Sequence, residues 1–125
     1  MLLLDTNILI DYLRLYPPAI NFLDQLDKDE RNISILTSFE LLQGCQSPEQ
    51  HKRIDKFLEH FTIHSLNEKV TTMAWDTYRT HKVRIHIDII DSFIAAATLS
   101  HNFTLITRNQ KHYQNIKGLK VKAPY

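Results

Sequence analysis

The sequence has 125 residues, of which 43% are hydrophobic and 23% charged, values typical of one folded domain and atypical of a disordered chain. The apolar runs are shorter than a membrane span, Asp5 comes too early for a signal peptide, and the single Cys45 excludes an internal disulfide or a multi-cysteine zinc site. The formal net charge of +1 gives no global field that would draw the protein to nucleic acid. We expect one domain over residues 1–125, a cytosolic location and no membrane association.

Short apolar runs alternate with helical patterns in the first half of the chain. Apolar residues at spacings of three and four predict helices, and short apolar runs bounded by polar residues predict buried strands. The predicted elements are a strand at 2–4, a helix at 8–13, a helix at 20–26 after the break at Pro17 and Pro18, a strand at 33–36 and a helix that carries residues 41–45.

The second half of the chain continues this alternation. Ser47-Pro48-Glu49-Gln50 combines a capping box with proline at the first helical position, and apolar residues follow at helical spacing up to Phe61. The other predicted elements are a short strand at 61–64, a helix at 70–78, an alanine-rich helix at 93–98 and strands at 104–106 and 119–121.

The order of these elements predicts the fold class. Strands that alternate with helices and lack hairpin signals are typical of a parallel sheet with both faces covered. We therefore predict an α/β fold with a mostly parallel central sheet of about five short strands flanked by helices.

Polar residues follow three of the predicted strands. Asp5-Thr6-Asn7 follows the first strand, the segment from Thr37 to Glu40 follows the second, and Thr107-Arg108-Asn109 follows the strand at 104–106. Asp91 opens the alanine-rich helix, and such helices start at the same edge of a parallel sheet. Because open α/β sheets bind ligands beyond the carboxyl ends of their strands, we expect positions 5, 40 and 91 to meet there.

Three carboxylates at one edge predict a metal site. Without a cluster of neutral ligands they suit a hard cation, Mg²⁺ or in its place Mn²⁺, better than zinc. The neighbouring helix N-termini could receive phosphate oxygens. Carboxylates, a divalent ion and phosphate together indicate phosphodiester hydrolysis, with Asp5, Glu40 and Asp91 as the catalytic and metal-binding acids.

Each acid also has a purely structural explanation. Thr37 and Glu40 have the spacing of a capping box, in which Glu40 would bond to a backbone N–H group. Asp88 could cap the last long helix, with Asp91 in its first turn, where the helix dipole favours acids that have no function. Asp5 fits this explanation less well, because a charge at the end of an apolar strand is costly to bury unpaired.

Four segments, in order, resemble the motifs of the PIN-domain ribonucleases, and specifically the VapC-type toxins of bacterial toxin–antitoxin pairs. They are residues 2–10 around Asp5, 35–44 around Glu40, 91–97 from Asp91, and 105–109, and His112-Tyr113 and residues 118–121 follow as in the family.

The resemblance implies that Asp5, Glu40 and Asp91 form the acid cluster, with Mg²⁺ as metal and RNA as substrate. It also implies a homodimer and a cognate antitoxin whose C-terminal segment covers the active site. Many relatives carry an acid where this chain has Asn109. Asp88 could restore the missing charge, or it could serve only as the N-cap.

Several further residues have weaker predicted roles. Thr6 and Asn7 could orient Asp5 or cap the first helix, and Thr107 could assist at the site. Trp75 and Tyr78 lie at helical spacing and are more typical of a core or a dimer interface than of a base-stacking platform. The basic clusters that could bind RNA, or be only solvated surface charge, are Lys111, His112, Lys117, Lys120 and Lys122, then His81, Lys82, Arg84 and His86.

Two other protein classes compete with the nuclease prediction. A phospho-acceptor receiver domain also places acids at strand ends, but no aspartate follows a central strand here as its phosphorylation site requires. A catalytically inactive PIN-like scaffold that binds RNA or protein fits the altered position 109. Magnesium-dependent RNA cleavage that Asp5→Asn abolishes would separate the nuclease from both.

Overall fold

Five three-residue strands form one parallel sheet in the computed structural model, which describes residues 1–125. The spatial order is β3-β2-β1-β4-β5, and all four neighbouring pairs are parallel. The strands are β1 (Leu2–Leu4), β2 (Asn32–Ser34), β3 (Thr62–His64), β4 (Thr104–Ile106) and β5 (Lys120–Lys122). The predicted parallel α/β fold is confirmed.

Six α-helices surround the sheet, and five of them begin at a residue whose side chain accepts a bond from a backbone N–H. None of the helices combines the length and apolar character of a membrane span. The helices are α1 (Thr6–Leu13), α2 (Pro17–Asp24), α3 (Ile35–Gln43), α4 (Pro48–Leu58), α5 (Glu68–Ile85) and α6 (Ile89–Ser100), with short 3-10 helices at Lys28–Glu30 and Gln110–Tyr113.

Both faces of the sheet are covered because successive strand side chains point to opposite sides. Leu3 and Leu105 belong to one core, which α5 and α6 close. Leu4 and Ile106 belong to the other, to which α1, α3 and α4 contribute. The buried alanines of α6 let that helix lie close to the sheet, as its composition predicts.

Several predicted boundaries are wrong, among them those of α2, which spans Pro17–Asp24 rather than 20–26, and of β3, which begins at Thr62 rather than at residue 61. The second strand ends at Ser34 rather than Leu36, because the Ser34 hydroxyl accepts a 3.1 Å bond from the Leu36 N–H and starts α3 there. An apolar pair fits the first turn of a helix as well as a strand. The last strand lies one residue later than predicted, at Lys120–Lys122.

The pairing of β1 with β4 sets the position of the polar edge. Leu4 lies opposite Ile106, so the residues that follow, Asp5 and Thr107, leave the sheet side by side. The Asp5 N–H donates to the Ile106 carbonyl at 2.9 Å and extends the pairing by one step. The register of the sheet therefore brings together residues that are about a hundred positions apart in the sequence.

Candidate active site

A cavity of about 270 Å³ lies at the carboxyl edge of the sheet and is lined mainly by polar side chains. The structure brings the three acids Asp5, Glu40 and Asp91 to this one cavity. The other lining residues are Thr6, Asn7, Ile10, Asp88, Ile90, Asn109 and His112.

Asp5 is the most buried of these acids, with 7% of its surface exposed. It is the N-cap of α1, and its Oδ1 accepts a 2.8 Å bond from the Thr6 N–H. Its Oδ2 accepts from the hydroxyls of Thr107 at 2.8 Å and Tyr113 at 3.1 Å. Burial raises the pKa of Asp5 even though these donors favour the charged form.

Asp91 lies in the first turn of α6 and faces Asp5 across the Tyr113 hydroxyl. That hydroxyl lies 3.0 Å from Asp91 Oδ1, and the Nδ1 atom of His112 lies 3.1 Å from Oδ2. Burial raises the pKa of Asp91, and the nearby charge of Asp88 raises it further. Asp91 therefore carries its negative charge at an energetic cost.

Tyr113 is the residue that links the two aspartates, and it is 2% exposed. Burial and the two carboxylates raise the pKa of its phenol, so the hydroxyl keeps its proton. A hydroxyl has one proton to donate, yet this one lies within hydrogen-bond distance of both Asp5 and Asp91. When both carboxyl groups are ionised, Tyr113 therefore leaves one of the two contacts without a proton, in keeping with the raised pKa of each acid.

Glu40 approaches the cavity from α3. Its Oε1 accepts a 2.6 Å bond from the Thr6 hydroxyl, whose oxygen also lies 2.9 Å from that of Thr37. The alternative of a capping box between Thr37 and Glu40 is wrong, because Ser34 caps α3 and Glu40 lies towards its other end.

Asp88 lies at the N-cap of α6. Its Oδ1 accepts a 2.7 Å bond from the Asp91 N–H, so the capping role is confirmed. Asp88 also lines the cavity beside Asp91. Asn109 lines the same cavity and its N–H donates to the Thr107 hydroxyl at 3.0 Å. Capping does not use the second carboxylate oxygen of Asp88, so a role towards a metal stays a prediction.

The predicted orientation of Asp5 by Thr6 and Asn7 needs correction. The Thr6 hydroxyl donates to Glu40. The part of Thr6 that touches the Asp5 carboxylate is its backbone N–H group, not its side chain. The Asn7 amide donates to the Thr107 hydroxyl at 3.1 Å and therefore acts on Asp5 only through Thr107. It also accepts a bond from the Arg108 N–H.

Two of the basic residues predicted to bind RNA, Lys111 and His112, have different positions. His112 touches Asp91 at the cavity, with 54% of its side chain exposed. Lys111 is exposed on the 3-10 helix Gln110–Tyr113 and does not line the cavity. Sequence reasoning missed Tyr113, whose only signal was its place after His112 in the family resemblance.

The donor set fits a hydrated divalent cation better than a fully enclosed one. No group of three carboxylate, imidazole or thiol side chains in residues 1–125 is spaced to hold a metal ion by itself. Mg²⁺ commonly keeps several waters and binds through one or two carboxylates. Asp5 and Asp91, whose carboxyl groups share one hydroxyl, are such a pair.

Comparison with known proteins places this site in a family. The family model described as the PIN domain matches residues 2–118. The chain belongs to the PIN-domain family. Within it the chain belongs with the VapC ribonucleases, since it is 32% identical to Ribonuclease VapC1 of Methanocaldococcus jannaschii over 96% of this chain and 85% of that protein. The resemblance found in the sequence is thereby confirmed.

Solved structures of this PIN-domain family have the same fold. A toxin–antitoxin complex from Klebsiella pneumoniae contains a chain that superposes with a TM-score of 0.84 at 28% identity, covering 100% of this chain and 98% of that chain. VapBC-1 from nontypeable Haemophilus influenzae gives a TM-score of 0.81 at 30% identity, covering 98% and 97% of the two chains. Ribonucleases of this family generally depend on a divalent metal.

In the metal-free protein the pKa of Asp91 is raised above its ordinary 3.8. The folded protein therefore binds the proton of the Asp91 carboxyl group more tightly than the unfolded chain does. The resulting destabilisation is absent below about pH 3.8 and grows as the pH rises through the raised pKa. We expect Asp91→Asn to melt a few degrees above the parent at pH 7 in EDTA, with a smaller difference towards pH 4.

Differential scanning calorimetry across this pH range tests the prediction. Asp76→Asn is the matched control, because Asp76 is 61% exposed and an exposed ion pair contributes little. A melting temperature for Asp91→Asn at or below that of the parent at pH 7 would contradict the raised pKa of Asp91.

Proposed function

We propose that this PIN-domain protein is a magnesium-dependent endoribonuclease that hydrolyses RNA phosphodiester bonds, the toxin of a toxin–antitoxin pair, inhibited by a cognate antitoxin. The observation that carries the chemistry is the single Tyr113 hydroxyl between the carboxylates of Asp5 and Asp91. Relatives named as ribonucleases support RNA as substrate, and solved toxin–antitoxin complexes of the same fold support a protein partner.

In this proposal each residue around the cavity has a defined task. Asp5 and Asp91 hold Mg²⁺, or Mn²⁺ in its place, and Glu40 adds a third negative charge. Thr107 and Tyr113 fix the Asp5 carboxylate from two sides. The chemistry that the ion supplies when bound is polarisation of the scissile phosphate and a lower pKa for the attacking water.

The predicted homodimer belongs to the same proposal. Trp75 is 61% exposed and Ile89 57% exposed, so neither is a core residue. Together with Tyr78 and Phe93 they line an almost entirely apolar groove between α5 and α6. An exposed apolar surface of this kind supports burial against a second copy of the chain.

A catalytically inactive PIN-like scaffold that binds RNA or protein is the second candidate function. Asn109 is the observation that favours it, because many relatives have an acid at that position. An amide can offer a neutral oxygen to an ion or its water but adds no negative charge. The two functions differ in whether the protein cleaves RNA at all.

We expect Asp5→Asn and Glu40→Gln each to reduce cleavage of single-stranded RNA in Mg²⁺ by at least about 100-fold while the fold survives. Glu40→Gln retains an acceptor for the Thr6 hydroxyl, so it removes charge and preserves the contact. A fluorescent cleavage assay and circular dichroism measure the two properties. The exposed Glu59→Gln is the matched control and should remain active. A folded, fully active Glu40→Gln protein would remove Glu40 from the site.

The role of Asp88 in metal binding is tested with Asp88→Asn, because asparagine is an equally good N-cap. We expect little change in thermal stability in EDTA, because loss of the Asp88 charge relieves Asp91 but also removes a favourable interaction with the dipole of α6. We expect a several-fold higher Mg²⁺ concentration for half-maximal cleavage. Melting curves and a Mg²⁺ titration measure the two quantities. If the titration of Asp88→Asn overlays that of the parent, Asp88 is an N-cap only.

The toxin role is tested in cells. We expect induced expression of the protein without an antitoxin to arrest growth, and expression of Asp5→Asn at the same level to leave growth unchanged. Co-expression of the antitoxin should restore growth. If cells grow equally well with the parent protein and with Asp5→Asn, the protein is not a toxin, although it could still be a nuclease.

A further inference from the structure

A second cavity, of about 560 Å³, is lined by residues that are sequence neighbours of residues lining the acidic cavity. Its volume is within the range of about 300–1,000 Å³ that small-ligand sites occupy. Two arginines and two tyrosines dominate its walls. The lining residues are Asp11, Arg14, Leu15, Tyr16, Pro17, Arg108 and Tyr125.

In two segments of the chain, consecutive residues line the two different cavities. On α1, Ile10 lines the acidic cavity and Asp11 lines the second one. After β4, Asn109 lines the acidic cavity and Arg108 lines the second one. Since consecutive Cα atoms are about 3.8 Å apart, the backbone that borders the acidic cavity continues directly into the backbone that borders the second one at both places.

The Arg108 guanidinium is held in place by its ion pair with Asp11. The contact joins Arg108 Nε to Asp11 Oδ2 at 2.7 Å, and 48% of the Arg108 side chain remains exposed. The pair therefore orients the guanidinium while part of it still faces solvent. Arg14, on the same wall, has no ion-pair partner in residues 1–125 and contributes an uncompensated positive charge.

The two tyrosines form a partly exposed aromatic surface. The Tyr125 hydroxyl donates a 2.6 Å bond to Asp11, the residue that also holds Arg108. The rings of Tyr16 and Tyr125 meet edge to face at 5.6 Å and remain 47% and 41% exposed. Their positions are therefore fixed while ring surface stays available for stacking.

The end of α1 borders the cavity. The Tyr16 N–H donates to the Asp11 carbonyl and the Leu15 N–H to the Tyr12 carbonyl, both at 3.0 Å. With φ of 63° at Leu15, these two bonds form a Schellman motif that ends the helix, and Tyr16 follows directly after it.

We propose that this second cavity is a subsite for a nucleotide that flanks the cleaved bond, an inference that rests on the proposed ribonuclease function. Arg14 and Arg108 bind the flanking phosphate, and the base stacks on Tyr16 and Tyr125. Cationic side chains beside exposed aromatic rings are the general means of holding single-stranded nucleic acid. Asp11 is a positioning residue, since its Oδ2 atom holds both the Arg108 guanidinium and the Tyr125 hydroxyl, and these two contacts offset its charge in the cavity.

Binding is measured with the full-length Asp91→Asn protein, which leaves RNA intact, by fluorescence anisotropy of a labelled, randomised 12-nucleotide RNA. We expect added Arg14→Gln to raise Kd about fivefold and to reduce the salt slope of log K by about 0.7, the value for one lost single-strand phosphate contact. Added Tyr16→Leu should raise Kd about tenfold and leave the salt slope unchanged. Added Arg79→Gln, an exposed arginine on α5, is the matched control.

The proposal is overturned if both variants bind within twofold of the control, or if Arg14→Gln leaves the salt slope unchanged. It is also overturned if the variants lose affinity for the antitoxin but keep it for RNA, which assigns the cavity to the protein partner. Cleavage by the otherwise unmodified protein tests the ribonuclease function separately. A parent that cleaves no RNA would remove the proposed function, while the binding series would still decide whether the cavity holds RNA.

Discussion

The burial of Asp5 at the end of an apolar strand is the constraint on which the rest of the site depends. Burial makes its charge costly, so the donors that surround it have to be supplied by the fold. The Thr6 N–H comes from the next residue, but the hydroxyls of Thr107 and Tyr113 come from 102 and 108 positions away. The pairing of β1 with β4 brings the Thr107 hydroxyl to the Asp5 carboxylate, and the 3-10 helix Gln110–Tyr113 brings the Tyr113 hydroxyl to it.

The same geometry explains why the protein tolerates an unfavourable arrangement of charge. Asp91 lies on the other side of the Tyr113 hydroxyl, where one proton cannot satisfy two carboxylates. A fold selected only for stability would replace one acid with a neutral residue. Buried charges without a full set of partners are expected at functional sites, where a ligand supplies the missing interaction. The cost falls on the metal-free protein, and in the proposed function a cation bound between the two acids would recover it.

Local sequence patterns predicted correctly the apolar strands that are followed directly by a polar residue. The strands at Leu2–Leu4 and Thr104–Ile106 are correct to the residue because a polar side chain follows each apolar run. The strand at Asn32–Ser34 was placed too late because Ile35 and Leu36 are apolar in either structure. The acids were identifiable because strand ends in a parallel sheet share an edge. Thr107 was identifiable only as a candidate from its place after a strand, and Tyr113 only from its place after His112, since contacts over a hundred positions leave no periodic signal.

The charge distribution resolves an apparent conflict between an acidic site and a polyanionic substrate. A net charge of +1 supplies almost no long-range attraction, and the carboxylates around Asp5 repel phosphate. RNA must therefore gain its affinity from groups beside the acids rather than from the acids themselves. Arg108 meets this requirement from the residue next to Asn109, and Asp11 orients its guanidinium. The loop after β4 thus has two roles. Thr107 fixes the buried carboxylate of Asp5, and Arg108, one position later, presents a guanidinium group beside the acids.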